Sequence, residues 1–572
     1  MSILNTHAAL KLRSYIAGID WSALVAVALI GFFAVTLLTC FIFPIYPDEI
    51  AARFLASRLP YDFPEKITNL PTCVSGFTQP IPITWYLPGL VSWMLDGNLQ
   101  SLNTFRTVGF MVAFSWVAEL FFYLNGRIGS SQQHGNRGPL APNRQYLNIS
   151  GWFVSLFSVG VFPIFLILNR DEQLLLPSII ILLFVFLLSD RQESQKSRWS
   201  IVGLTVMYFL AVSLAIYGHP KGLFLTPFFL IVGWRLFRLW NSRPIFVASM
   251  VLLGLQVAQG YAAWKYSFQC SENPPLNALL KSFSFNPALL IYAPHKFFEH
   301  SYASISNFSK YLRQLGFQKH TDANYLPSEP VGPLAKLANI FIWANSAAAF
   351  FTALVFVPWY YYRKDIRNGR YLTINATILI LLVCVLIEMV FNTPKNWYDA
   401  GYIFGSFAVI LVFFSGENLS GFFLTPAARK LFLYFAGVSF LSQSVFIYRY
   451  LPAFWDGYAG PGISIVNYHY KYTQTELSEA SSACGISRNH SHRLIVDDLT
   501  YFYYERSQFP MPITYIFLDN TPSGIKRFID NSRSSGLITR CSGIPIPWIP
   551  FAKQIANVCC IPGNRLHQLP KP

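Results

Sequence analysis

The chain has 572 residues, 53% of them hydrophobic and only 12% charged, about half the charged fraction of an ordinary soluble protein. That composition excludes a cytosolic enzyme and an intrinsically disordered chain. The formal net charge of +16 keeps a nucleic-acid binder in view only until the basic residues are placed along the chain.

Apolar stretches of the length needed to cross a hydrocarbon core, about 20 residues each, recur through the first four fifths of the sequence. Hydropathy and helix-breaking residues predict about 11 spans, near 22–45, 104–124, 149–169, 174–189, 200–218, 223–239, 245–263, 338–360, 371–391, 402–416 and 431–448. Two of them, 174–189 and 402–416, are short for a bilayer. The hairpin joining 149–169 to 174–189 reads equally as one irregular pair. The expected architecture is a polytopic α-helical membrane protein, with a membrane domain over 1–450 and a small α/β domain over 451–572. A large first external loop spans 46–103 and a second long external loop spans 264–337.

Basic residues concentrate in short loops on one side of the alternating spans: Lys11 and Arg13; Arg127, Arg137 and Arg144; Arg191, Lys196 and Arg198; Arg235, Arg238 and Arg243; Arg363, Lys364, Arg367 and Arg370; Arg429 and Lys430. Such loops stay cytoplasmic, so the amino terminus is expected inside and the carboxyl-terminal domain outside. Nearly all the excess positive charge is thereby spent on orientation and anionic headgroups, leaving no basic patch for nucleic acid. Cys73, Cys270, Cys484, Cys541, Cys559 and Cys560 fall outside, where disulfides or buried free thiols are the two readings.

Four polar clusters follow outward-running spans: Tyr46-Pro47-Asp48-Glu49, Asn169-Arg170-Asp171-Glu172-Gln173, Gly218-His219-Pro220-Lys221-Gly222, and Asn392 to Asp399 with Lys395. Ionisable groups at membrane depth are costly unless paired or functional. Two carboxylate pairs on the same side as His219, Lys221 and Lys395 therefore mark a candidate site. Paired carboxylates hold a proton or a divalent cation, and a cation at the interface offsets charge developing on a phosphate leaving group. Asp48 is the expected general base. The bland readings are solvated helix ends for Asp171 and Glu172, a helix stop at His219-Pro220, a snorkelling Lys221, and an aromatic belt for Trp397 and Tyr398. Glu119 and Glu388 are the acids inside spans, with helix packing as an alternative reading of both.

The string Pro47-Asp48-Glu49-Ile50-Ala51-Ala52-Arg53, an acidic pair just past the first span and opening a large external loop, resembles the Asp-Glu motif of the GT-C superfamily of integral membrane glycosyltransferases. Protein O-mannosyltransferases and lipid A aminoarabinose transferases belong to that superfamily. The resemblance covers mainly residues 1 to about 260, and no Trp-Trp-Asp string of the oligosaccharyltransferases occurs. It implies a polyprenyl-phosphate or polyprenyl-diphosphate sugar donor and a glycan, lipid or protein acceptor. It also implies inverting transfer on the extracytoplasmic face, with Asp48 and Glu49 catalytic and Asp171 or Glu172 as a second-loop acid. His219, Lys221 and Lys395 would bind the donor phosphate, and a divalent metal, if used, would sit on Asp48, Glu49 or Asp171. The expected setting is a bacterial inner membrane; the sequons at Asn307 and Asn489 leave the endoplasmic reticulum open.

Residues 84–95, with Trp85 and Trp93, read either as an interfacial segment or as a buried helix of the first loop. Beyond 451, residues 493–498 and 513–518 read as strands and 523–534 as a helix. Asp497 and Asp498 invite a metal reading but more often sit in a turn. Two rival functions stand beside the transferase: a lipid-linked glycan transporter or flippase, and a polysaccharide polymerase or ligase.

Overall fold

The computed structural model describes residues 21–44, 49, 102–133, 142–170, 172–190, 197–267, 289–306, 313–318, 326, 331–391, 397–455, 470–487, 494–497, 500, 503–504, 511–512, 534–541, 544, 546–566 and 568–569. The helices run in order α1 (Trp21–Phe41), α2 (Leu102–Gln133), α3 (Pro142–Phe157), α4 (Phe162–Ile167), α5 (Glu172–Asp190), α6 (Arg198–Gly218) and α7 (Thr226–Phe237). They continue with α8 (Arg243–Ser267), α9 (Pro294–Ser306), α10 (Pro333–Tyr360), α11 (Ile374–Phe391), α12 (Trp397–Asn418) and α13 (Pro426–Trp455). Among the described residues, 10 helices are long and apolar enough to cross a membrane.

The expected span at 149–169 is instead two pieces, α3 and α4, separated by a break at Ser158-Val159-Gly160. Gly160 takes a left-handed φ of +52°, and a Cβ there would collide with the Leu315 carbonyl oxygen. Broken helix at membrane depth requires protein partners for its backbone, and these are present. The Gly160 N–H donates to Ser442 Oγ at 2.9 Å, and the Val161 N–H donates to the Leu315 carbonyl at 2.9 Å. Ser158 bonds Ser439, which accepts from Gln443 Nε2 at 3.0 Å. Leu315 belongs to a segment, 313–318, that dips between the helices and is held by Asn339 of α10. The Asn339 side chain accepts from the Phe317 N–H at 2.6 Å and donates to its carbonyl at 2.8 Å.

The two spans that read as short are the most enclosed. In α5 72% and in α12 83% of the apolar window is buried by protein, against 11% in α8. Enclosed helices face side chains rather than lipid, so α12 carries glycines where neighbours approach closely. A Cβ on Gly401 would lie 2.9 Å from the Phe165 ring, and one on Gly405 2.9 Å from Leu176.

Polar links tie the helices at both ends, and each link joins residues that the alternating spans place on the same side. One end holds Glu49 with Arg106, Glu172 with His219, and Lys221 with Asp399. The opposite end holds Arg127 with Glu417, Arg235 with Asp190, and Lys364 with Asn418.

After α13, α14 (Tyr470–Cys484) packs against a sheet of order β2-β1-β3-β5-β4, made of β1 (Leu494–Val496), β2 (Met511–Pro512), β3 (Gly536–Arg540), β4 (Lys553–Ile555) and β5 (Val558–Pro562). Strand β1 is parallel to β2 and β3, and β5 is antiparallel to β3 and β4. Ile495, Leu537, Trp548 and Ile561 form its core. Two disulfides, Cys484–Cys560 and Cys541–Cys559, brace it, while Cys40 and Cys384 are free and buried in the bundle. Asp497 caps a turn: its carboxylate accepts from the Thr500 N–H at 2.9 Å, the Arg540 N–H at 2.8 Å and Arg540 Nε at 3.0 Å. Those bonds supersede the metal reading of this residue. The expected strand at 513–518, the helix at 523–534, the segment 84–95, Asp498, Cys73 and Cys270 lie outside the described residues.

Candidate functional site

The acidic pair after α1 has one described member, Glu49, and it turns inward. Arg106, a lone cation in the first turns of α2, donates from Nη1 to Glu49 Oε1 and from Nη2 to Oε2, both at 2.7 Å. Its remaining N–H groups reach the carbonyls of Phe43 (2.9 Å), Pro44 (2.7 Å) and Ile167 (3.4 Å). Both side chains are 0% exposed, so this is a fully desolvated, bidentate pair. The Asn169 N–H adds a third bond to Glu49 Oε1 at 2.6 Å. The clamp thus joins the ends of α1, α2 and α4 and fixes the chain one residue after Asp48.

Three residues beyond Asn169 stands Glu172, at the first position of α5. Arg170 donates to its two carboxylate oxygens at 2.9 and 2.8 Å and lies over the Tyr398 ring, 3.8 Å from its centroid. His219 Nε2 approaches Glu172 Oε1 at 3.6 Å and Lys221 Nζ approaches it at 3.9 Å. Lys221 Nζ also donates to Asp399 Oδ1 at 2.6 Å, and it sits 5.3 Å from the Tyr402 ring centroid. These side chains come from Arg170 just before α5, from the start of α5, from the junction of α6 with the 3-10 turn Pro220–Leu225, and from the first turns of α12. That turn folds back so tightly that a Cβ on Gly222 would strike the Ala215 carbonyl of α6.

His219 caps the turn: its Nδ1 accepts from the Lys221 N–H at 3.2 Å. The ring proton therefore resides on Nε2, directed at Glu172. Burial lowers the pKa of His219 to about 4, outweighing the attraction of Glu172, so the ring is neutral near pH 7. The expected cationic phosphate binder at this position is thus a neutral hydrogen-bond donor.

The structure brings Glu49, Glu172, His219 and Lys221 to one end of the bundle, linked by the short stretch 167–172. Phe43 meets the Trp397 ring edge-on at a centroid distance of 6.1 Å, which joins the fourth cluster to the first. Asp48, Asp171 and Lys395 lie outside the described residues, each next to or within two residues of a described member of this group. Sequence reasoning passed over Arg106 and Asp399. A single cation in an otherwise apolar span was the available signal for the first; Asp399 stood inside a quoted cluster, but its partner on another helix is visible only in three dimensions. Trp397 is fully buried rather than placed in an interfacial belt.

A divalent cation does not fit the described carboxylates. Glu49 and Glu172 each have both oxygens bonded to a guanidinium, and the neighbours of Glu172 are cationic or hydrogen-bond donors. Among the described residues no group of three His, Cys, Asp or Glu side chains is arranged to hold a metal ion.

No family model matches the chain, and no curated protein matches it. Among solved structures it is similar to the archaeal oligosaccharyltransferase AglB from Archaeoglobus fulgidus in complex with an inhibitory peptide and a dolichol-phosphate. The similarity has a TM-score of 0.43 and 10% identity, over 90% of this chain and 69% of that one. The apo form of the Archaeoglobus fulgidus oligosaccharyltransferase gives a TM-score of 0.43 and 9% identity over the same shares.

Proposed function

We propose that this polytopic membrane protein is a glycosyltransferase that moves a sugar from a polyprenyl-phosphate or polyprenyl-diphosphate donor to a glycan, lipid or protein acceptor, with inversion at the sugar carbon. The observation that carries the reading is the meeting of Glu49, Arg170, Glu172, His219, Lys221 and Asp399 at one end of the bundle, from segments scattered over 350 residues of chain. The basic loops cap the opposite end, which supports a cytoplasmic amino terminus and an extracytoplasmic site. The two disulfides of the domain following α13 support the same orientation. A bacterial inner membrane is the proposed setting.

Asp48 is the proposed base. It removes the proton from the acceptor hydroxyl or amine as that atom attacks the anomeric carbon and the bond to the donor phosphate breaks. The phosphate leaves with the electron pair, and the positive charge of Lys221, with Lys395, stabilises it. Neutral His219 contributes an N–H, and Asp399 and Glu172 hold Lys221 in place. Glu49 is a positioning residue: clamped by Arg106, it fixes the backbone that carries Asp48. Asp171 is proposed to orient the acceptor. No step is assigned to a metal ion.

The test is sugar release from a polyprenyl-linked donor in proteoliposomes containing purified protein. The reading expects release with the native protein and a loss of at least 100-fold in Asp48→Asn. Wild-type turnover by that variant would overturn the base assignment, and movement of intact donor across the bilayer without cleavage would favour a flippase.

A further inference from the structure

Helix α9, inside the long loop between α8 and α10, has three distinct faces. Successive residues of a helix are rotated by about 100°. Phe297, His300, Ser301 and Ser304 share one side and turn toward the bundle, with Ser301 and Ser304 buried. The Phe297 ring packs edge-on against Phe391 at the end of α11, at a centroid distance of 5.7 Å. Phe391 in turn stacks on Phe224 at 5.8 Å, three residues after Lys221 in the site turn. A chain of aromatic contacts thereby fixes α9 at the height of the site.

The second face is apolar and open. Phe298, Tyr302 and Ile305 are 62%, 75% and 60% exposed and fall within about 60° of one another on the helical wheel. The third face, carrying His295, Lys296 and Glu299, is also exposed and lies roughly a quarter turn beyond the apolar one. Protein on one side, apolar side chains on the next and charges on the last is the arrangement of a helix lying at a membrane boundary, with its apolar strip down and its charges up. Helix α9 packs against α11, a span that itself leaves Val383 and Ile387 exposed where lipid is its solvent.

We infer that α9 is an interfacial helix whose Phe298, Tyr302 and Ile305 enter the headgroup and acyl boundary of the leaflet on the site side, anchoring the loop between α8 and α10 to the bilayer beside the site. The occupant of the strip is the membrane lipid, and the inference stands whatever reaction the site performs.

The experiment uses the full chain in lipid nanodiscs. An environment-sensitive fluorophore is attached at Phe298→Cys, Tyr302→Cys or Glu299→Cys, and labelling of the wild type is subtracted. Quenchers are a lipid spin-labelled near the headgroup and aqueous iodide. At positions 298 and 302, lipid quenching is expected to exceed that at 299 at least threefold, with iodide quenching reduced by a similar factor. Equal iodide access at 298 and 299 would place the strip in water and overturn the inference. So would protection of 298 and 302 from both quenchers, which would mean that another protein surface covers them. Circular dichroism and size-exclusion profiles matching wild type qualify each variant, and two independent strip positions guard against a local folding failure.

Discussion

Removing the Glu49 carboxylate by Glu49→Ala leaves the Arg106 guanidinium enclosed with three carbonyl partners and no counter-charge. Breaking a buried pair from one side costs about 3–5 kcal/mol, because the surviving ion stays desolvated. The two 2.7 Å bonds and the Asn169 N–H that loses its acceptor place this pair toward the upper end of that range. The paired variant Glu49→Leu with Arg106→Leu removes both charges, and its stability should return to within about 2 kcal/mol of wild type, since a buried pair is often no more stabilising than an apolar replacement. The assay is thermal unfolding in detergent by intrinsic fluorescence, with both single variants and the double variant measured as a cycle. If the clamp fixes Asp48, the double variant folds yet transfers little sugar. A single variant within about 1 kcal/mol of wild type, or a double variant no more stable than the singles, would refute the reasoning.

Three further outcomes are expected. Lys221→Met should lower kcat/KM at least 100-fold, about 2.7 kcal/mol of transition-state stabilisation, while Lys221→Arg restores part of it; initial rates in proteoliposomes decide. For His219, the folded pKa of about 4 lies below the ordinary 6.5, so between those values the unfolded chain binds more protons and stability falls as pH falls; His219→Gln should flatten that dependence between pH 4 and 6.5 in unfolding scans, and a slope identical to wild type would argue against a neutral buried ring. Glu119 lies midway along α2 on an exposed face, so Glu119→Leu should raise the unfolding midpoint in nanodiscs by removing a polar group from lipid, an effect of up to about 3 kcal/mol.

Much of the architecture was legible because lipid leaves few options: apolar length and basic loops order the helices and their sides without any contact being known. The same code blurred where protein replaces lipid. The break at Gly160 sits in an unremarkable apolar run, and its partners, Leu315 and Ser442, lie 155 and 282 residues onward, beyond any periodicity. In the site, the clusters at 169–173 and 218–222 announced themselves as charges at span ends, whereas pairing is a property of space. Glu49 looked like half of a reactive acid pair, and only Arg106, 57 residues away, shows that its carboxylate is already engaged. His219 looked cationic because sequence carries no measure of desolvation.

The dipping segment at 313–318 imposes an order on biogenesis. When α3 and α4 leave the ribosome, the amides of Gly160 and Val161 have no acceptor, because Leu315 and Ser442 have yet to be translated. The break between α3 and α4 therefore gains its partners only after segment 313–318 and α13 have been made. A polypeptide halted before residue 313 would lack both acceptors that close the break in the folded chain.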